Sequence, residues 1–245
     1  MIFDEILDSI ENEDIKEFAK KKCIPTVEDY FWVVPASSTR KYHPDYACTE
    51  GGLAKHTVAL VRFLNHMFGV ESITSQFTSR ERDLLRVAGM MHDTRKSGTQ
   101  KDYERSKWTR FDHPLQAAAV IRGLDGLPKE EIEMIAHMIE SHMGQWCTDK
   151  RNPDVVLPKP TDKYQIILHL ADYLASRKDI EIKFDGVELP IKKETLPDIN
   201  TWVIPFGKKH KGETLKQVAE IDPGYIEWAK DNVTSEPMRT LLTQL

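Results

Sequence analysis

The chain has 245 residues, of which 40% are hydrophobic and 30% charged, with a formal net charge of −5. That length holds one sizeable domain with a small appendix, or two modest domains. The acidic balance excludes a whole-molecule electrostatic magnet for nucleic acid, although local basic groups can still hold a phosphodiester.

In chain order, apolar residues at Ile2, Phe3, Ile6, Leu7, Ile10, Ile15 and Phe18 predict an amphipathic helix over 1–22, broken near Asn12-Glu13-Asp14 and stopped by Pro25. The start is acidic and lacks the basic-then-apolar pattern of a secretory signal. Tyr30 to Pro35 is short and apolar, which predicts a buried extended strip holding Phe31 and Trp32. Leu53 to Phe68 reads as a helix set off by Gly51-Gly52 and Gly69. Ser79 to Met91 reads as another, capped by Thr78 or Ser79 and ending at the tandem His92-Asp93. His113-Pro114 opens a third, because proline fits the first helical turn. Pro128 to Met143 forms a fourth, and Thr161-Asp162 opens a fifth running to about Lys178.

Beyond Lys178 the pattern changes. Asp179 to Leu189 alternates around Asp185-Gly186, a hairpin signal. A linker is expected over 191–200, followed by a small C-terminal unit over 201–245 with the basic loop Gly207-Lys208-Lys209-His210-Lys211-Gly212. No apolar run approaches the roughly 20 residues of a membrane span. Cys23, Cys48 and Cys147 are too far apart for a disulfide framework or a zinc clip, so reduced thiols in a cytoplasmic protein are expected.

Six side chains carry the chemistry: His56, His92, Asp93, His113, His142 and Asp172, each in or at the end of a predicted helix. Neutral imidazole and carboxylate suit hard or borderline divalent metals, and two such ions close together suit phosphate ester hydrolysis. Adjacent helical residues diverge by about 100°. His92 and Asp93 therefore do not chelate as a pair; they are expected to serve two neighbouring ions, with the carboxylate bridging. His56 and Asp172 would complete one shell, His113 and His142 the other. Taken singly, each histidine is more simply a surface or hydrogen-bonded residue, and Asp172 a salt-bridge partner. The joint order raises the metal reading above that.

The segments Gly51-Gly-Leu-Ala-Lys-His56, Met91-His-Asp-Thr-Arg-Lys96, His113-Pro114, Ser141-His-Met-Gly144 and His169-Leu-Ala-Asp172 resemble the HD superfamily of metal-dependent phosphohydrolases. The resemblance covers about 31–178. Phe31 to Ser37, His43 and the Gly-Gly-Leu-Ala-Lys-His56-Thr57 stretch are most similar to the HD module of Gram-positive 3′-to-5′ exoribonucleases and related phage proteins. It implies a mainly α protein, an HD helical bundle over 1–190 with a short β-hairpin, followed by a small α+β module.

The resemblance also implies that the six residues ligate two divalent ions (Mn, Fe or Mg, with Co or Ni also compatible). Met143 stands where several relatives carry a second adjacent histidine, which argues against a third ion. Asp93 and Lys96 are implied in catalysis, Lys96 against substrate phosphate. Arg95 replaces the glycine of the familiar motif and either joins Lys96 on phosphate or faces solvent. His43 either lines the cleft beside His56 or caps a loop. His137 is expected to be a supporting or structural residue, and His66 and His169 structural ones.

Ile204 to Gly212 with Asp222 to Trp228 resembles the C-terminal module of exonuclease X-type proteins. Tyr225 and Trp228 share a helix face and are expected in its mini-core. Lys208, Lys209 and Lys211, beside His210, are candidates for a weak, salt-sensitive phosphate contact. The implied function is a metal-dependent phosphodiesterase, a 3′-to-5′ exonuclease on single-stranded RNA or DNA. Its alternatives are a nucleotide or signalling-nucleotide phosphohydrolase, a di-iron oxygenase of the same superfamily, and an idle binding module.

Overall fold

The computed structural model describes residues 2–37, 42–180, 182, 197–233 and 237–245. Two compact units emerge, Met1–Ile191 and Lys192–Leu245, each with its own apolar core.

The first unit is helical. Helices α1 (Asp4–Ser9) and α2 (Glu13–Phe18) are separated at Ile10 to Asn12, slightly ahead of the break expected near Asn12-Glu13-Asp14, and a π-helical turn Ala19–Cys23 follows. The break is held from outside. Asp83, fully buried, accepts from the backbone amides of Glu11 (3.0 Å) and Asn12 (2.7 Å) and from the guanidinium of Arg86 at 2.5 Å. A carboxylate there satisfies donors that no helix turn reaches. The expected extended strip at Tyr30 to Pro35 is instead a 3₁₀ turn, Asp29–Trp32. Its aromatic side chains are buried as expected, but a turn brings Tyr30, Phe31 and Trp32 into the core within four residues.

The bundle proper comprises α3 (Gly52–Phe68), α4 (Glu71–Thr74), α5 (Ser79–Met91), α6 (Gln100–Arg105), α7 (His113–Arg122), α8 (Lys129–Glu140) and α9 (Lys163–Ala175). α3 packs on α5 and α9, and α8 packs on α5 and α7. Capping follows the sequence signals: Thr78 and Glu81 form a reciprocal capping box on α5, and Asp162 with Gln165 forms one on α9. Gly52 starts α3 where a β-carbon would sit 2.2 Å from the carbonyl oxygen of Ala47, and Gly89 lets α5 approach Leu60 of α3. α8 ends at Glu140, so His142 lies in the following turn rather than inside the predicted helix.

Among the described residues there are no strands, only the isolated bridges Thr148–Val156 and Val203–Thr214. The predicted Asp185-Gly186 hairpin turn lies outside the described residues. The second unit is built from α10 (Leu215–Ile221), α11 (Pro223–Asn232) and α12 (Met238–Leu242) around Ile204, Leu215, Val218, Ile226 and Leu241. No helix among the described residues is long and apolar enough to cross a membrane.

Candidate metal centre

Five helices deliver the six residues to one place. His56 comes from the second turn of α3, His92 and Asp93 from the end of α5, His113 from the start of α7, His142 from the turn after α8, and Asp172 from the last turn of α9. His56, His92, Asp93, His113 and His142 are buried, and the Asp172 side chain is 18% exposed.

The contacts divide into two halves that meet at Asp93. On one side His56 Nε2 is 3.0 Å and His92 Nε2 3.7 Å from Asp172 Oδ1. On the other, His113 Nε2 is 3.0 Å and His142 Nε2 3.7 Å from Asp93 Oδ1. His92 Nε2 is 3.5 Å and His56 Nε2 4.0 Å from Asp93 Oδ2. Two ligand groups follow, His56-His92-Asp172 and His92-Asp93-His142, sharing His92.

The protonation of three imidazoles is dictated by their outer contacts. The Nδ1 atoms of His92, His113 and His142 face the carbonyl oxygens of Gly89 (2.8 Å), Arg110 (2.6 Å) and Ile139 (2.7 Å). A carbonyl only accepts, so each Nδ1 carries the proton and each neutral ring turns an Nε2 lone pair inward. His113 and His142 then point lone pairs at one another across 3.3 Å. His92 Nε2 and Asp93 Oδ1 are buried without a hydrogen bond, the 3.0 Å approach of His113 to Asp93 lacking hydrogen-bond geometry. The acceptors that converge there without a donor, His92 Nε2 and Asp93 Oδ1 beside the facing His113 and His142 lone pairs, repel in a dry interior, and a divalent cation is what satisfies them. The donor set therefore fits such ions.

The ionisation of the site points the same way. Burial alone would raise Asp93, but the Lys96 ammonium beside it holds it well below the usual carboxylate range. Asp172 is likewise held low against burial, by the His56 hydrogen bond and by His92. Burial, then His92 and His113, depresses His142 to about 3, so it is neutral, a ligand's form.

The surrounding residues separate by role. Lys96 Nζ lies 2.5 Å from Asp93 Oδ2, and its side chain is 16% exposed beside a cavity of about 210 Å³. Arg95 does not face solvent: it is buried and pairs with Glu28 at 3.3 Å. His43 packs edge-on to His56 with ring centroids 5.5 Å apart, and burial depresses it to about 3. His137 is exposed beside Glu133 and does not support the site.

Two supporting residues carry no signal in the sequence. Tyr30 donates to Gly98 O (2.9 Å) and accepts from Ser97 N (3.1 Å), bracing the loop that carries Lys96. Burial raises its hydroxyl to about 12, so it stays protonated. His169, taken as merely structural from its helix position, places Nδ1 2.7 Å from the carbonyl of His142 and holds that turn.

In the second unit the basic loop is partly occupied. His210 is buried, with Nδ1 2.8 Å from Glu213 and Nε2 2.9 Å from Asp222. Lys209 also bonds Asp222, at 2.5 Å. Trp228 is 53% exposed, which corrects its expected place in the mini-core; Ile226 and Ala229, on the opposite side of α11, are the buried residues.

Residues 63–177 match the HD domain family, and residues 205–234 match the exodeoxyribonuclease X-like C-terminal family. No curated protein and no solved structure matches the chain. Over that stretch the chain is similar to the HD domain, a family of metal-dependent phosphohydrolases. The match takes in five of the six converging residues; His56 precedes it, and joins them through the geometry of α3.

Proposed function

We propose, from the similarity of this chain to the HD domain, that it is a phosphodiesterase using two divalent ions, and that its substrate is single-stranded RNA or DNA shortened from the 3′ end. The observation that carries the metal reading is the set of inward Nε2 lone pairs on His92, His113 and His142 around Asp93 and Asp172. His56, His92 and Asp172 would hold one ion and His113, His142 and Asp93 the other, with Asp93 reaching both. Bound there, such ions would offset charge on phosphoryl oxygens and activate water for attack on phosphorus.

The protein's own part is positional. The Gly89, Arg110 and Ile139 carbonyls fix three rings before any ligand arrives, so little reorganisation is left for the reaction. Lys96, at the edge of the site, offers its ammonium to a non-bridging oxygen. Arg95, tied to Glu28, serves through the loop geometry instead. His43 closes the solvent side of His56. The exonuclease X-like segment supports a nucleic-acid substrate, with Lys208 and Lys211 its more available cations.

The test uses 5′-labelled single-stranded RNA and DNA with Mn²⁺, beside Asp93→Ala. A ladder shortening from the 3′ end, absent with the variant, is expected. Intact polymers together with consumption of free nucleotides would replace the nuclease reading by a nucleotide phosphohydrolase.

A further inference from the structure

A cavity of about 1,100 Å³ adjoins the metal centre at His113 and is also lined by Met143. It exceeds the roughly 300–1,000 Å³ of ordinary small-ligand pockets. Two segments far apart in sequence form its sides. One is the connection from α6 to α7, which holds Trp108 and is tied to the centre where the Arg110 amide donates to Lys96 O (2.8 Å). The other is the loop after the Gly144–Trp146 turn, closed by the Thr148–Val156 bridge and by the Leu157 amide on Cys147 O (2.7 Å).

The chemistry of the walls is specific. Trp108 is 65% and Trp146 48% exposed. Leaving two indoles in water forgoes the burial that usually orders them. Trp146 is held flat against Tyr173, centroids 5.8 Å apart and planes 14° from parallel, so one face is already oriented.

The wall carboxylates are engaged: Asp102 caps α6, Asp112 is gripped by Arg110 at 3.0 Å, and Asp149 accepts from the Arg151 amide at 2.8 Å. Among the described residues Arg105, Lys150 and Arg151 have no ion pair or side-chain hydrogen bond. Exposed indoles together with uncommitted cations in one large cleft match the requirements of a single strand, whose bases stack and whose phosphates need charge.

We propose that this cleft is the track for a single-stranded nucleic acid, Trp108 and Trp146 stacking bases and Arg105, Lys150 and Arg151 neutralising phosphates next to the one at the metal centre. This rests on the phosphodiesterase reading for the direction in which the strand is presented. The strand enters past the α6–α7 connection and the Thr148–Val156 loop and reaches His113 with more than one nucleotide bound.

The test is binding of short fluorescein-labelled oligouridylate and oligothymidylate to the full chain in EDTA, read as anisotropy against salt. Trp108→Ala and Trp146→Ala should each weaken binding on the order of tenfold. The double variant Lys150→Ala/Arg151→Ala should lower the salt slope by about 1.4, about 0.7 for each charge lost on a single strand. No binding by the unaltered chain, or affinity unmoved in both tryptophan variants, overturns the proposal. So does uridine monophosphate binding as tightly as the oligomer, which would make the cleft a one-nucleotide site. Hydrolysis of bis-(p-nitrophenyl) phosphate by the unaltered chain with Mn²⁺ tests the phosphodiesterase reading separately. Its failure beside intact oligomer binding removes the enzyme reading and leaves the groove.

Discussion

At the scale of single residues, the centre depends on which atoms are left without partners. His142 and His137 lie five positions apart, yet one is buried with its Nε2 facing His113 and the other is exposed beside Glu133. His142→Ala should therefore lose bound metal, measured by elemental analysis of protein dialysed against Mn²⁺, while His137→Ala retains it. Asp83 gives a contrasting case with no role in chemistry. Asp83→Ala strands two backbone amides and the buried Arg86 guanidinium, and should cost about 3–5 kcal/mol in urea unfolding. Smaller loss would mean that water replaces the carboxylate.

At the scale of elements, helix ends do most of the positioning. A β-carbon on Gly52 would meet the Ala47 carbonyl at 2.2 Å, so α3 seats on the Asp45–Cys48 turn only with glycine there. Gly52→Ala should destabilise by about 1–3 kcal/mol, the usual range for overpacking, and should lower metal affinity because His56 is one turn further on. Thr78→Ala removes one capping contact of α5 and should cost about 1 kcal/mol, with metal content unchanged. Denaturant melts read alongside metal content distinguish the two effects. In α8 the early end at Glu140 has a consequence: the free turn lets His142 Nδ1 reach back to Ile139 O, which a continuing helix would have claimed.

At the scale of the whole molecule, two cores imply two stabilities. The first unit contains all six converging residues and its own core, so a chain ending at 191 should bind metal as the full chain does. Loss of metal on that truncation would contradict an autonomous first unit. The second unit carries a pH signature. Hydrogen bonds donated to Glu213 and Asp222 raise His210 above its ordinary 6.5, while Lys209 and His210 hold Asp222 down at about 2.

A raised histidine stabilises fully below 6.5 and loses that contribution as pH rises through its elevated pKa. A depressed carboxylate stabilises above its ordinary 3.8 and loses it as pH falls towards about 2. The unit should therefore be most stable between those limits and melt earlier on the alkaline side. His210→Gln should flatten that alkaline loss in thermal melts; persistence of the slope would place its origin elsewhere.

Most of the helices and the kinds of atoms available to the site are legible along the chain, because a helical period, a capping box and a His-Asp pair are all local patterns. Thr78 with Glu81, Pro114 at the start of α7 and the break before Glu13 are legible for that reason. Which atoms face one another follows from long-range packing. The inward lone pairs of His92, His113 and His142 depend on carbonyls oriented by helix ends, and Arg95 finds its ion-pair partner in Glu28, 67 positions earlier.

The cleft with Trp108 and Trp146 is assembled from two connections that share no periodic pattern, and Trp228 stands outside its small core because other residues on α11 fill it. Long-range packing has no local repeat to betray it, so the ingredients of the site are written along the chain while its shape exists only once the chain has folded.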